Sequence, residues 1–373
     1  MKFDFSFSFL RIFPLLFALP LSLRADTESL REHCAPFFEI GTCVSPSQLH
    51  GETEALILRH FSSLTAENCM KPDSIYRADG PFNFAQADLL ADFARKHGLK
   101  LRGHTLVWHS QTPPSFFTDE NGQRLEKAAL YARMEEWMRQ MMSHFRGTVS
   151  CWDVVNEALA DGGPGIWRTR SPWFEICGEE FVAQAFRTAH KLDPDAKLYY
   201  NDYQLIQPAK RERALKMLRG LLEAGVPIDG VGMQAHWNLA FFDADELQKS
   251  IDAFSELGLD VQITELDLSI YPIPRQFLKE GQTDANAPAS LTPELEAFQA
   301  ETYRKIFEIF FRNSGKISSV TFWGFSDRFS WLNYFPRRGR QDFPLLFDRN
   351  LQPKKAFDAL MNLPNHGTEN ERK

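Results

Sequence analysis

"CWDVVNEALADG", residues 151–162, passes from apolar to acidic with no turn residue between. Trp152, Val154 and Val155 read as a buried strand, and Asn156 and Glu157 stand where that strand should end. A buried ionised carboxylate costs several kcal/mol, on the order of the desolvation of a charge, unless it is paired. Glu157 therefore needs a reason beyond packing, and its neighbours along the chain indicate what kind of scaffold supplies one.

The same pattern recurs. Short apolar runs, "FFEIGTCV", "SSLTAENC", "KLRGHTLVW", "TVSCWDVVNE", "AKLYYNDYQ", "DGVGMQAHW", "DVQITELDLS" and "SSVTFWGFSD", alternate with stretches of helical period. In "FAQADLLADFARKHG" Leu89, Leu90, Phe93 and Ala94 are expected on one face, with Gly98 ending the helix. Trp137, in "MEEWMRQMM", is expected in the core. Eight strands each followed by a helix match an α/β fold of the (β/α)8 TIM-barrel type. An open doubly wound sheet also alternates, but no G-x-G-x-x-G follows the first strand as a dinucleotide-binding version would want.

The chain has 373 residues, 43% apolar and 24% charged, a composition ordinary for a globular protein. Its net charge of −7 and scattered basic residues argue against a nucleic-acid partner. The 33 Phe, 8 Trp and 8 Tyr suit a core and also a cleft that stacks flat ligands or sugar rings. Lys2 and Arg11 precede the apolar "IFPLLFALPLSL", which reads as a signal peptide over 1–25 cleaved near Ala25; a retained anchor is the alternative. The run is too short and too broken by proline to span a bilayer comfortably. A secreted or periplasmic protein is expected, with no membrane association once the signal is removed. The catalytic domain is then 26–364 and the polar tail 365–373. The loop Tyr271–Pro293 reads as an insertion after the seventh strand. Five cysteines make no disulfide framework; a Cys34–Cys43 bridge is open, and Cys69 and Cys151 are expected as buried thiols in strand-like segments.

In a barrel the active site forms at the C-terminal strand ends, and polar residues crowd those ends. Strand two ends with Glu67, Asn68 and Lys71, and strand three with His104, Trp108, His109 and Gln111. Strand four gives Asn156 and Glu157, strand five Asn201 and Asp202, and strand six Gln234 and His236. Strand seven gives Glu265 and Asp267, and strand eight Trp323 with Trp331 just beyond. Glu157 and Glu265 come from strands that face each other across an eight-stranded barrel. Two carboxyls across a cleft lined by Asn, Gln, His and Trp suit glycoside hydrolysis.

"TAENCMK", "GHTLVWHSQ", "WDVVNEA", "YYNDY", "GMQAHW", "ITELD" and "TFWGFSDRFSWL", in this order, make the chain resemble the glycoside hydrolase family 10 endo-β-1,4-xylanases from about Phe38 to Met361. The resemblance implies retaining hydrolysis of xylan or xylo-oligosaccharides, with Glu157 as acid/base and Glu265 as nucleophile. It places Asn156 on the sugar 2-hydroxyl, His236 on Glu265, and Asp267 behind His236; Gln234/His236 and Glu265/Asp267 are i, i+2 pairs on one strand face. Glu67, Asn68, Lys71, His104, Trp108 and Gln111 match the family's glycone-side contacts. Trp323 and Trp331 match the tryptophans over the sugar at the scissile bond, and Tyr203 is expected on the leaving-group side. A packing reading stands beside Trp108, a structural one beside His109, and a supporting one beside Asn201 and Asp202. Glu157 is expected to have a raised pKa and Glu265 a low one.

Two departures concern sugar contacts: Pro72 stands where many members have Trp, and "TPPSFF" lacks an aromatic Trp. Arg337, Arg338 and Arg340 form either a solvated basic loop or a contact for acidic xylan decorations. No cofactor and no metal are expected, since His104 and His236 are too isolated for a ligand set, and a monomer is expected. The rival readings are a β-1,4-glucanase on the same scaffold and a non-catalytic polysaccharide-binding barrel.

Overall fold

The computed structural model describes residues 29–271, 290–335 and 341–364. The expected signal peptide, most of the Tyr271–Pro293 insertion, the three loop arginines and the tail lie outside these residues. A short helix, α1 (Leu30–Cys34), opens the described chain, capped by Ser29 and Glu32 in a reciprocal box. The strands are β1 (Glu39–Val44), β2 (Ser63–Ala66), β3 (Lys100–Trp108), β4 (Val149–Asn156), β5 (Lys197–Asp202), β6 (Gly230–Met233), β7 (His236–Asn238), β8 (Asp260–Ser269) and β9 (Ile317–Phe322). They pair in parallel in the order β6-β5-β4-β3-β2-β1-β9-β8, and β8 pairs back with β6 to close the barrel. The closed sheet has no edge, so every strand is covered and the near-continuous apolar runs are explained.

Helices α2 (Gly51–His60), α4 (Ala85–His97), α5 (Lys127–His144), α7 (Glu180–Leu192), α8 (Pro208–Glu223), α9 (Ala244–Ser255), α10 (Pro293–Arg312) and α11 (Lys355–Met361) form the outer layer, with short α3 (Pro72–Ile75) and α6 (Pro172–Cys177) in the connections. Trp137 on α5 is fully buried, and its Nε1 donates to Leu106 O at 2.8 Å. Gly98 caps α4 with φ 64°. The face of α4 differs from expectation. Ala87, Leu90, Ala91 and Ala94 are buried, whereas Leu89 is 55% exposed. Adjacent helical residues lie about 100° apart, so Leu89 and Leu90 cannot share the centre of one stripe, and the alanines let α4 sit close to the sheet.

One further expectation is corrected, and the state of the cysteines is decided. The sixth strand is interrupted after Met233: Ala235 adopts φ 64°, and the chain resumes as β7 on the far end of β8, pairing His236 with Asp267. The i, i+2 argument thus holds for Glu265 and Asp267 but not for Gln234 and His236, because the left-handed residue breaks the alternation of the pleat. None of the five cysteines is in a disulfide, so the Cys34–Cys43 bridge is absent. Cys69 and Cys151 are free thiols as expected, Cys69 buried but beyond the end of β2, and Cys151 within β4 but only partly buried.

Under the cleft the barrel is filled tightly. Gly103 on β3 accommodates the Trp152 ring from β4; a Cβ there would meet ring carbons at 2.1–2.5 Å. Among the described residues no helix is long and apolar enough to cross a membrane.

Candidate active site

A cleft of 890 Å³ opens at the C-terminal ends of the strands, and the strand-end candidates from Glu67 to Trp331 line it, except Asn201 and Asp202, which are buried beneath it. The backbone bends sharply there. Gln111, Glu157 and Gln204, which line the cleft, and Ala235, between Gln234 and His236, have φ between 46° and 64°. Non-glycine residues seldom adopt this region, and the hydrogen bonds around them must hold it.

Glu265, on β8, is buried, with 5% of its surface exposed. Its Oε1 accepts from Asn201 Nδ2 at 2.8 Å, and its Oε2 lies 3.0 Å from His236 Nε2. Burial pushes the Glu265 carboxyl up, but the hydrogen bond from His236 and the nearby His104 and His236 rings outweigh it, so the group lies below its ordinary value. His236 Nδ1 meets Asp267 Oδ2 at 2.9 Å. Burial opposes the imidazolium, yet the Asp267 and Glu265 carboxylates raise its pKa to about 9. Glu265 is therefore held ionised at neutral pH against a fixed cation. Trp331 Nε1 donates to the same Asp267 Oδ2 at 2.8 Å, which ties the tryptophan to the pair.

Glu157 follows the last residue of β4 and is half-buried. Each of its oxygens takes one fixed donor: Oε2 from Trp108 Nε1 at 2.9 Å and Oε1 from Gln234 Nε2 at 3.0 Å. Trp108 thus touches the carboxyl directly, a role that neither sugar stacking nor barrel packing anticipates. Asn201 Nδ2 donates both to Glu265 and to Asn156 Oδ1, at 3.0 Å, while its own Oδ1 accepts from Thr264 Oγ1 at 2.6 Å. Gln234 Nε2 also faces Asn156 Oδ1, at 3.2 Å. A swapped Asn156 amide would reach Asn201 O at 3.1 Å and take a hydrogen bond from Trp108. It would, however, turn its NH2 onto two donors already committed to Glu265 and Glu157, so the oxygen belongs on that side. Asn201, read from sequence as a support for Glu157, supports Glu265 as well.

Farther along the cleft Lys71 Nζ donates to Asn68 Oδ1 at 3.0 Å and Gln111 Oε1 at 2.8 Å, and lies 5.1 Å from the centre of the Trp108 ring. Burial lowers its pKa despite Glu265 and Glu67 nearby. Glu67 Oε2 accepts from Ser45 Oγ at 2.9 Å. His104 is buried on Asp153 Oδ2 at 2.9 Å, and Asp153 in turn pairs with Arg102 inside the barrel. Trp323 meets the rings of His104 and His236 edge-on at 5.4 and 6.2 Å. His109 lines the cleft, its ring against Trp108 at 6.2 Å, and burial lowers its pKa to about 4.

Several groups have no counterpart in the sequence reading. Asp153 carried a signal, being a charge in the middle of an apolar strand, and it anchors His104. Phe241, Tyr334 and Phe335 are exposed aromatic rings on the cleft walls. Arg168, Asp161 and Lys210 gather behind Glu157, around Tyr203 and Asp202. Burial raises the Asp202 carboxyl to about 6 even with Lys210 beside it. Among the described residues no group of three or more His, Cys, Asp or Glu is placed to hold a metal ion. Chemically, the arrangement offers one buried anionic carboxylate and one half-buried carboxyl, both aimed into a cleft with amide and aromatic walls.

Residues 29–363 match the family model of glycosyl hydrolase family 10. A β-1,4-xylanase of Dictyoglomus thermophilum is 45% identical over 89% of this chain and 90% of its own. An endo-1,4-β-xylanase of Geobacillus stearothermophilus is 41% identical over 90% and 98%. Among solved structures, xylanase B from Clostridium stercorarium F9 superimposes with a TM-score of 0.84 at 38% identity, covering 90% of this chain and 100% of that one. An endo-1,4-β-xylanase from Caldicellulosiruptor owensensis does so with 0.84 at 39% identity, covering 90% and 100%.

Proposed function

The chain belongs to glycosyl hydrolase family 10, and on that footing we propose that it is an endo-1,4-β-xylanase that cleaves internal bonds of xylan with retention at the anomeric carbon. The observation that carries the reading is the unequal treatment of two carboxyls in one cleft. Glu265 is buried, kept anionic by His236 and oriented by Asn201, as a nucleophile requires. Glu157 is half-buried, with one neutral N–H donor on each oxygen, as a group that both gives and takes a proton requires.

In the first step Glu265 attacks the anomeric carbon as the bond to the leaving oxygen breaks, and Glu157 gives that oxygen its proton. In the second, Glu157 takes a proton from water, which displaces Glu265 and restores both groups. Asn156, held by Asn201 and Gln234, turns its NH2 toward the sugar 2-hydroxyl. Asp267 fixes His236, so Glu265 keeps its orientation as its charge is consumed and regenerated. Glu67, Asn68, Lys71, His104 and Gln111 hold the glycone side, Trp323 and Trp331 cover the sugar at the scissile bond, and Tyr203 borders the leaving-group side. The enzyme works as a single chain, since one chain supplies both carboxyls and their partners. Its basic and apolar N-terminus directs export.

Proton NMR of purified protein with xylan tests this reading through the anomer that appears first. β-Anomer is expected. α-Anomer would remove Glu265 as nucleophile. Cleavage of β-1,4-glucan in place of xylan would reassign the substrate, and binding without cleavage would make the protein a polysaccharide-binding barrel.

A further inference from the structure

Glu157 is a left-handed residue at the tip of β4, with φ 59°, so its carboxyl is aimed only as long as the surrounding backbone is held. Its own N donates to Asn201 O at 2.9 Å, and the following Ala158 N donates to Tyr200 OH at 3.1 Å. The remaining backbone group, Glu157 O, accepts from Arg168 Nε at 3.1 Å. Arg168 returns to this point because the connection folds back on itself: Ala160 N donates to Ile166 O and Arg168 N to Ala158 O, each at 2.8 Å. The other end of the guanidinium donates to Tyr203 OH at 2.7 Å and to Asp161 Oδ1 at 3.0 Å. Asp161 is held in turn by buried Lys210 at 2.9 Å. One planar fork thus spans the main chain of Glu157 and the hydroxyl of Tyr203 on the cleft wall, a geometry that lysine cannot reproduce.

We propose that Arg168 is a positioning residue for proton transfer, clamping the Glu157 backbone so that its carboxyl meets the leaving oxygen, and coupling that aim to Tyr203. The inference rests on Glu157 being the acid/base and adds the group that holds it there. Arg168 acts through Glu157 and Tyr203 and has no place in the nucleophilic half of the site, which hangs on Asn201 and His236.

The test compares wild type, Arg168→Gln and Arg168→Lys on two substrates, by kcat/KM, which reports the glycosylation step. Cleavage of xylotetraose expels a sugar alkoxide and needs the proton from Glu157; cleavage of 2,4-dinitrophenyl β-xylobioside expels a stable phenolate and does not. Arg168→Gln should lose roughly ten- to hundredfold on xylotetraose, the scale of a misplaced catalytic group, and less than about threefold on the aryl substrate. Arg168→Lys, which keeps the charge beside Asp161, should show the same selective loss and remains informative if the Gln variant does not fold. Equal losses on both substrates would make Arg168 a structural residue and overturn the proposal, as would no loss on either. A wild type that cleaves neither substrate would instead bring down the functional reading on which the proposal stands.

Discussion

Exchanging His236 for asparagine should remove a stabilisation that depends on pH in one direction. The imidazole is largely buried between Glu265 and Asp267, and its pKa rises from 6.5 to about 9. Burial works against the proton, and the two carboxylates outweigh it. A folded pKa above the unfolded one means that the native state binds the proton more tightly. The stabilisation is therefore complete below about pH 6.5 and is lost as the pH rises through about 9. A rise of this size corresponds to about 3 kcal/mol. In a chain of this length that is a difference of about 4 °C in melting temperature. Urea unfolding of the wild type and His236→Asn at about pH 6 and about pH 9.5 would measure it. The wild type's advantage should shrink by about 3 kcal/mol between the two. Groups elsewhere that titrate in the same range, Asp202 among them, occur in both proteins and cancel in the difference. An advantage that stayed level or grew toward alkaline pH would refute the reasoning. So would an imidazole that titrates by NMR at its ordinary value.

Trp108→Phe keeps the ring but removes the donor to Glu157 Oε2; kcat on xylan should fall about ten- to hundredfold, the worth of one hydrogen bond to a charged group, with the fold intact by circular dichroism. Asn201→Ala leaves Glu265 Oε1, Asn156 Oδ1 and Thr264 Oγ1 each short of a partner; a loss of roughly 2–3 kcal/mol in urea unfolding is expected, together with a large fall in kcat. Gly103→Ala drives a methyl into the Trp152 ring and should cost at least about 1–3 kcal/mol of stability without touching the cleft; a neutral result in thermal unfolding would count against the packing described. N-terminal sequencing of exported protein should begin at Asp26, after cleavage at Ala25, whereas an intact Met1 would support the retained anchor.

Much of the site was legible because its chemistry sits at strand tips, where a polar residue after an apolar run is visible in one dimension. Glu157, just past β4, and Trp108 and Trp323, at the ends of β3 and β9, are of this kind. The Glu265/Asp267 pair was legible too, since β8 keeps its pleat through both. Spacing alone failed at Gln234 and His236, because the break falls on Ala235, a left-handed residue that no glycine, proline or asparagine announces. It failed again at Leu89, where two adjacent leucines competed for one face and the neighbouring alanines decided which was buried.

The sequence by itself determined the number and kind of layers, the identity of the two carboxyls and the order in which the strands deliver them. Those properties are carried by period and by residue type, both local. Only the tertiary structure decided what each carboxyl touches. Asn201 joins residues 156 and 265, Arg168 reaches back from a connection to the main chain of Glu157, and Lys210 comes from the buried face of α8. These contacts link groups far apart along the chain and leave no periodic trace. They exist because a closed barrel brings eight strand ends to one mouth, where burial then requires each polar atom to find a partner.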